Sequence, residues 1–241
     1  MIQSVTQNPQ KLFTFEEYLF YEGEPDVRYE LVGGKLVPMP QPTFYHAKIC
    51  DFLAYRLQRY FSEEQLSLVA KNSAVGVRTA EFYSRIPDVA VFDLNLWQES
   101  SDRSGSAILD FSEKPLLVVE VVSTNRRDDY LIKFSEYAIA EIPEYWIVDP
   151  KKKRVRILTN PSRDEGYTWV KFVEGETINS PQFKILKLSV SEIFNPPAVE
   201  NLINQERSQS QQFQQQAEAE RARAEKLAQK LREMGINPEE F

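Results

Sequence analysis

An α/β domain with a mixed β-sheet flanked by helices, followed by a separate helical tail, is what the sequence predicts. Three observations lead there. Leu116-Leu-Val-Val-Glu-Val-Val122 is apolar at consecutive positions, as in a strand covered on both faces. A helical pattern over 128–140 and a strand over Glu144–Asp149 follow it in strand, helix, strand order. Past Asn195-Pro-Pro197 the composition turns abruptly to Gln, Glu, Ala, Arg and Lys, so a domain over 1–198 and a tail over 199–241 are expected.

The elements can be justified in order. Thr14-Phe-Glu-Glu17 reads as a capping box opening a short helix, with the Thr hydroxyl and the Glu carboxylate taking up backbone N–H groups. In Tyr29–Val37 two apolar segments flank Gly33-Gly34, and paired glycines accept the positive φ of a tight hairpin turn. From Thr43 to Glu63, Ile49, Phe52, Leu53, Leu57, Tyr60 and Phe61 follow the three-and-four spacing of an amphipathic helix. Three β-rich runs follow, Leu66–Arg78, Asp88–Asp93 and Pro115–Ser123. The Ser-rich stretch between Leu94 and Glu113 reads as a mobile loop. Arg154–Leu158 and Tyr167–Val173 extend the sheet. In the tail, Phe213, Ala217, Glu220, Ala224, Leu227, Leu231 and Met234 alternate by four and three, the seam of a coiled coil, with Gly235 and Pro238 as its stop.

Composition narrows function. With 241 residues and 42% hydrophobic content the chain can bury a substantial core. The single cysteine, Cys50, and single histidine, His46, exclude an internal disulfide and a Cys/His zinc module. The first ten residues lack a basic, apolar leader and no long apolar run occurs, so a cytoplasmic protein without membrane insertion is expected. A net charge of −7 argues against a protein that coats DNA nonspecifically, though an enzyme gathering carboxylates around a metal can be acidic overall.

Glu120 is the most informative residue, a carboxylate within a buried apolar strand, where a lone anion costs several kcal/mol unless compensated. A structural ion pair is one explanation. Asp88 offers another: it opens a second β-run after Pro87, so neighbouring strands would each present a carboxylate, and two hard oxygen ligands suit Mg²⁺.

The ordered segments Arg85-Ile-Pro-Asp88, Val119-Glu120-Val-Val-Ser123, Arg126-Arg-Asp-Asp-Tyr-Leu-Ile-Lys133-Phe-Ser-Glu-Tyr137 and Ile142-Pro-Glu-Tyr-Trp-Ile-Val-Asp149, with Tyr29-Glu30-Leu-Val-Gly-Gly and His46 upstream, resemble the Uma-two family of restriction-endonuclease-type proteins. The resemblance implies a restriction-endonuclease-like fold and a PD-(D/E)xK nuclease site with Asp88, Glu120 and Lys133 as catalytic core. The usual lysine position, two residues after the second acid, is Val122 here, and the resemblance moves the lysine to Lys133 on the next helix. It further implies Glu30 as an additional metal acid, His46 as a phosphate contact or support, and Tyr137, one turn beyond Lys133, as a residue that orients the lysine. Asp88, Glu120 and Glu30 are then the expected metal ligands, Mg²⁺ (or Mn²⁺) the cofactor, DNA the substrate, and a homodimer the expected assembly. Arg126 and Arg127 are candidate phosphate contacts. The rival expectation is a nuclease fold that no longer cuts and acts as a binding or assembly module through its coiled-coil tail.

Overall fold

The structure, a computed structural model, describes residues 11–123 and 126–234. The N-terminal decapeptide and the helix-stop residues Gly235 and Pro238 lie outside them. Contacts divide the chain into two compact units, one ending at Pro196 and one starting at Pro197.

The first unit is built on a six-stranded mixed sheet. α1 (Phe15–Leu19) starts at Thr14, whose capping box with Glu17 is closed in both directions. β1 (Tyr29–Val32) and β2 (Lys35–Pro38) form the expected hairpin, with Gly33 and Gly34 at φ +57° and +76°. α2 (Phe44–Glu63) is capped by Thr43, which accepts from the His46 N–H, and it buries Ile49, Phe52, Leu53, Leu57 and Phe61.

The Leu66–Arg78 run is two strands rather than one. β3 (Leu68–Asn72) and β4 (Gly76–Ala80) belong to different sheets, because Ser73 turns the chain at φ +43° between them. β5 (Tyr83–Arg85) returns beside β4, and β6 (Val89–Asp93) pairs with β3.

The stretch expected to be a loop carries structure. Asp93 caps α3 (Leu94–Glu99), accepting from the Asn95 and Leu96 N–H groups, while Trp97 packs on Phe92. β7 (Ile108–Leu109) then pairs in parallel with β4. The Ser-rich composition hid both a cap and a strand docked from outside the segment.

β8 (Leu117–Val121) lies between β6, antiparallel to it, and β9 (Glu144–Asp149), parallel to it, and is buried at every position. A π-helical turn (Asp128–Ile132) runs into α4 (Lys133–Ile139), the crossover between these parallel strands. β10 (Arg154–Ser162) and β11 (Gly166–Val173) complete the order β11-β10-β9-β8-β6-β3. β2-β1-β5-β4-β7 form a second sheet, and β12 (Thr177–Ile178) and β13 (Leu188–Ser189) a small ribbon before α5 (Val190–Phe194). Beneath α4, Val118 and Val122 cluster with Tyr137, Ala138, Tyr145, Ile147, Leu158 and Tyr167.

The second unit is a continuous helix, α6 (Val199–Glu233), without a buried residue, along which Phe213, Leu227 and Met234 are exposed. Among the described residues no helix is long and apolar enough to cross a membrane.

Candidate active site

Successive side chains alternate across a strand. Glu120 therefore lies on the same face of β8 as Val118 and Val122, beneath α4, 3% exposed. Both its oxygens are engaged by that helix. Lys133 Nζ donates to Oε2 at 2.8 Å and the Tyr137 hydroxyl donates to Oε1 at 2.8 Å. One helical turn separates Lys133 from Tyr137, so the i, i+4 spacing aims both at one carboxylate. Tyr137, expected to orient the lysine, instead holds the glutamate, because the buried strand brings the carboxylate within reach of both side chains.

Asp88 reaches the site from β6. Val89 faces Val119 and Ala90 faces Val118, and continuing that register by one residue sets Asp88 opposite Glu120. Asp88 Oδ2 accepts from the Val121 N–H at 2.7 Å and Oδ1 contacts His46 Nε2 at 2.9 Å. His46 stands in the first turn of α2 and Cys50 one turn later; ligand atoms of His46, Cys50 and Asp88 lie within 4.8 Å of one another.

Glu30 on β1 is buried and joins the same network. Its Oε1 accepts from the Ile86 N–H at 3.0 Å and lies 3.8 Å from Lys133 Nζ. Its Oε2 pairs with Arg85 at 2.8 Å. Arg85, at the end of β5, also binds both oxygens of Glu136 on α4 and lies 3.6 Å from Asp128. Asp129 completes the ring around the lysine, 3.9 Å from Nζ.

The charges do not balance. Among the described residues Glu30, Asp88, Glu120, Asp128, Asp129 and Glu136 surround two fixed cations, Lys133 and Arg85, with His46 beside Asp88. Burial pushes Glu120 well up from the usual carboxylate range, against the pull of Lys133 and with the help of Asp88, Asp129 and Glu30. Burial likewise pushes Asp129 up to about 6 despite Lys133. Burial works against the Lys133 charge, but Glu120, Glu30 and Asp129 outweigh it and the ammonium is held protonated. The His46 ring loses basicity to burial and gains more from Asp88, for a net rise. Burial, helped by Asp88 and Asp51, pushes the Cys50 thiol up, so it stands as a neutral thiol beside Asp88. A surplus of hard oxygen donors is the charge that a divalent cation would offset. Asp88 and Glu120 are the carboxylates whose chemistry suits it.

Sequence reasoning missed Asp128, Asp129, Glu136 and Arg85 of this ring. Asp129 sits in an Asp-Asp pair that reads as helix-start acids, and the π-helical turn that points it inward has no signature in hydrophobic spacing. Arg85 showed only a weak signal, its place three residues before Asp88. Arg126, considered for phosphate, binds both oxygens of Asp149 at 2.9 and 2.6 Å and so locks the start of the turn to the end of β9. Arg127 is exposed.

Comparison with known proteins gives a family and a similar fold. The model of one family, Uma2, described as "Putative restriction endonuclease", matches residues 15–191. Among solved structures, a protein described as a putative nuclease belonging to DUF820, from Anabaena variabilis ATCC 29413, is similar at a TM-score of 0.57 and 21% identity. The likeness covers 76% of this chain and 98% of that one. No curated protein matches.

Proposed function

Because the chain belongs to the Uma2 family, we propose that it is a metal-dependent endonuclease that hydrolyses DNA phosphodiester bonds at a permuted PD-(D/E)xK site. The observation that carries this reading is the lysine itself: Lys133 Nζ, delivered from α4, lies 2.8 Å from Glu120 on the neighbouring strand. It thus takes the place left vacant by Val122.

Asp88 and Glu120 would hold Mg²⁺, with Mn²⁺ an acceptable substitute, and the bound ion supplies Lewis acidity to the phosphate and a lowered pKa to a water. Lys133 keeps its proton at Nζ and places a fixed positive charge where the phosphoryl oxygens gain negative charge. Tyr137 fixes Glu120 and His46 fixes Asp88, so neither carboxylate must reorganise. Glu30, read from sequence as a third metal acid, is paired with the buried Arg85 guanidinium at 2.8 Å and lies 3.8 Å from Lys133 Nζ. We assign it to holding Lys133 in place.

The test is cleavage of supercoiled plasmid and of single-stranded DNA in Mg²⁺ or Mn²⁺, comparing the wild type with Glu120→Ala and Lys133→Ala. Metal-dependent cutting that both substitutions abolish is expected. A folded wild type that cuts neither substrate with either ion would overturn the proposal. The reading it would then leave is a non-cutting assembly protein, which the exposed Phe213 and Leu227 of α6 and Met234 at its C-terminal end support as a seam for a second copy. In the nuclease reading the same seam makes a homodimer, which suits the two strands of a duplex.

A further inference from the structure

The π-helical turn has two sides. Asp129 and Lys133 turn toward the acids, while Tyr130, between them in sequence, turns toward β10. There its ring lies 5.0 Å from the Arg156 guanidinium, 5.2 Å from Arg126 and 5.4 Å from Arg154. Arg126 and Arg154 share Asp149. Arg156 shares nothing of the kind: among the described residues no carboxylate makes an ion pair with it, and its buried Nε has no hydrogen-bond partner. It is stacked instead 4.1 Å over the ring of Trp169 on β11, which is 49% exposed. Burial and the neighbouring Arg154 work against its charge, and Tyr130 and Asp149 offset them only in part.

Strand register ties this spot to the site. Glu120 faces Ile147, Ile147 faces Arg156, and Arg156 faces the exposed Lys171. The four residues form one row across the sheet, which at about 4.8 Å per strand puts Arg156 about 10 Å and Lys171 about 14 Å from Glu120 along the row. In a chain of net charge −7, this is a cationic, aromatic ledge beside the acids.

We propose that Arg156, Trp169 and Lys171 form a docking ledge for a single strand of DNA leading to the site. Arg156 and Lys171 take phosphates and Trp169 stacks on a base. The charge complementarity is local, since Arg156 is cationic, half-buried and without an ion pair among the described residues. The half-exposed indole adds a surface that a base covers and a simple anion does not. The ledge rests on the nuclease reading for its purpose, but its binding can be measured without cleavage.

The experiment uses the full chain in EDTA with a fluorescein-labelled 20-nucleotide single-stranded DNA, read by anisotropy. Arg156→Ala and Trp169→Ala should each weaken binding by roughly tenfold, and Arg156→Ala should lower the salt slope by about one. Unlabelled strand should quench the wild-type indole emission more than that of Trp169→Phe, in which Trp97, packed on Phe92, and the fully buried Trp146 remain. Undiminished binding by either Ala variant would overturn the ledge even if the protein cuts DNA. So would equal competition by polyglutamate, or failure of the folded wild type to bind. Binding with the expected losses, but no cleavage on adding Mg²⁺ or Mn²⁺, would leave the ledge standing and overturn the nuclease reading.

Discussion

Asp88 and Glu120 sit opposite one another on paired strands, yet each is held by a different helix, Asp88 by His46 of α2 and Glu120 by Lys133 and Tyr137 of α4. The two carboxylates are thus clamped from independent elements. Disturbing one clamp should leave the other intact.

Lys133→Met should be strongly destabilising, by about 3–5 kcal/mol, because it strips the cation from a buried ring of acids. Pairing it with Glu120→Leu should recover much of that loss, as an apolar pair replaces a broken one. Urea unfolding of the two single variants and the double variant measures the coupling. Simple addition of the two losses would contradict a direct pairing.

Metal binding should be visible without catalysis. Mg²⁺ or Mn²⁺ at about a hundred times its dissociation constant should stabilise the wild type by about 2.7 kcal/mol. Asp88→Asn and Glu120→Gln should each abolish most of the rise in Tm. A rise that survives both would place the ion elsewhere.

Asp149 makes part of the stability depend on pH. Burial raises its carboxyl, but Arg126, Tyr130 and the Lys152 N–H outweigh that and hold it at about 2, below its ordinary 3.8. A depressed acid stabilises the fold above its unfolded pKa and loses that contribution as pH falls from about 4 toward 2. The difference in unfolding free energy between wild type and Asp149→Asn should therefore be largest above pH 5, on the order of 2 kcal/mol, and shrink below pH 4. A difference that is flat with pH would refute the assignment.

Glu144 anchors the segment after β12. Fully buried, it accepts from Trp146 Nε1, the Ser180 hydroxyl and Gln182. Glu144→Leu strands these donors and should cost about 3 kcal/mol in thermal or urea unfolding. Single-stranded DNA binding, measured below the unfolding transition, should be unchanged.

What could be read from the sequence follows from how far each feature's cause extends along the chain. Glu120 stood out because its apolar neighbours lie next to it, and the hairpin at Gly33-Gly34 and the cap at Thr14 are equally local. Lys133 was found through its place in an ordered family pattern, since no spacing rule links a helix lysine to a strand thirteen residues earlier. Asp129 and Arg85 escaped because their surroundings come from elements distant in sequence: the Asp129 carbonyl takes the Tyr145 hydroxyl of β9 and Arg85 is held by Glu136 of α4. The same holds for β7, a two-residue strand that exists only because β4 offers it an edge.

The π-helical turn carries a further consequence. A π turn holds one residue more than an α turn over the same span. Shortening Asp128–Ile132 by one residue would therefore close it to an α turn while the helix after it keeps its phase. Lys133 and Tyr137 would stay over Glu120 together, and the change would fall on the turn itself, which now sends Asp129 to the acids and Tyr130 to β10. A chain shorter by one residue here should keep the lysine beside the glutamate and alter what lies on either side of it.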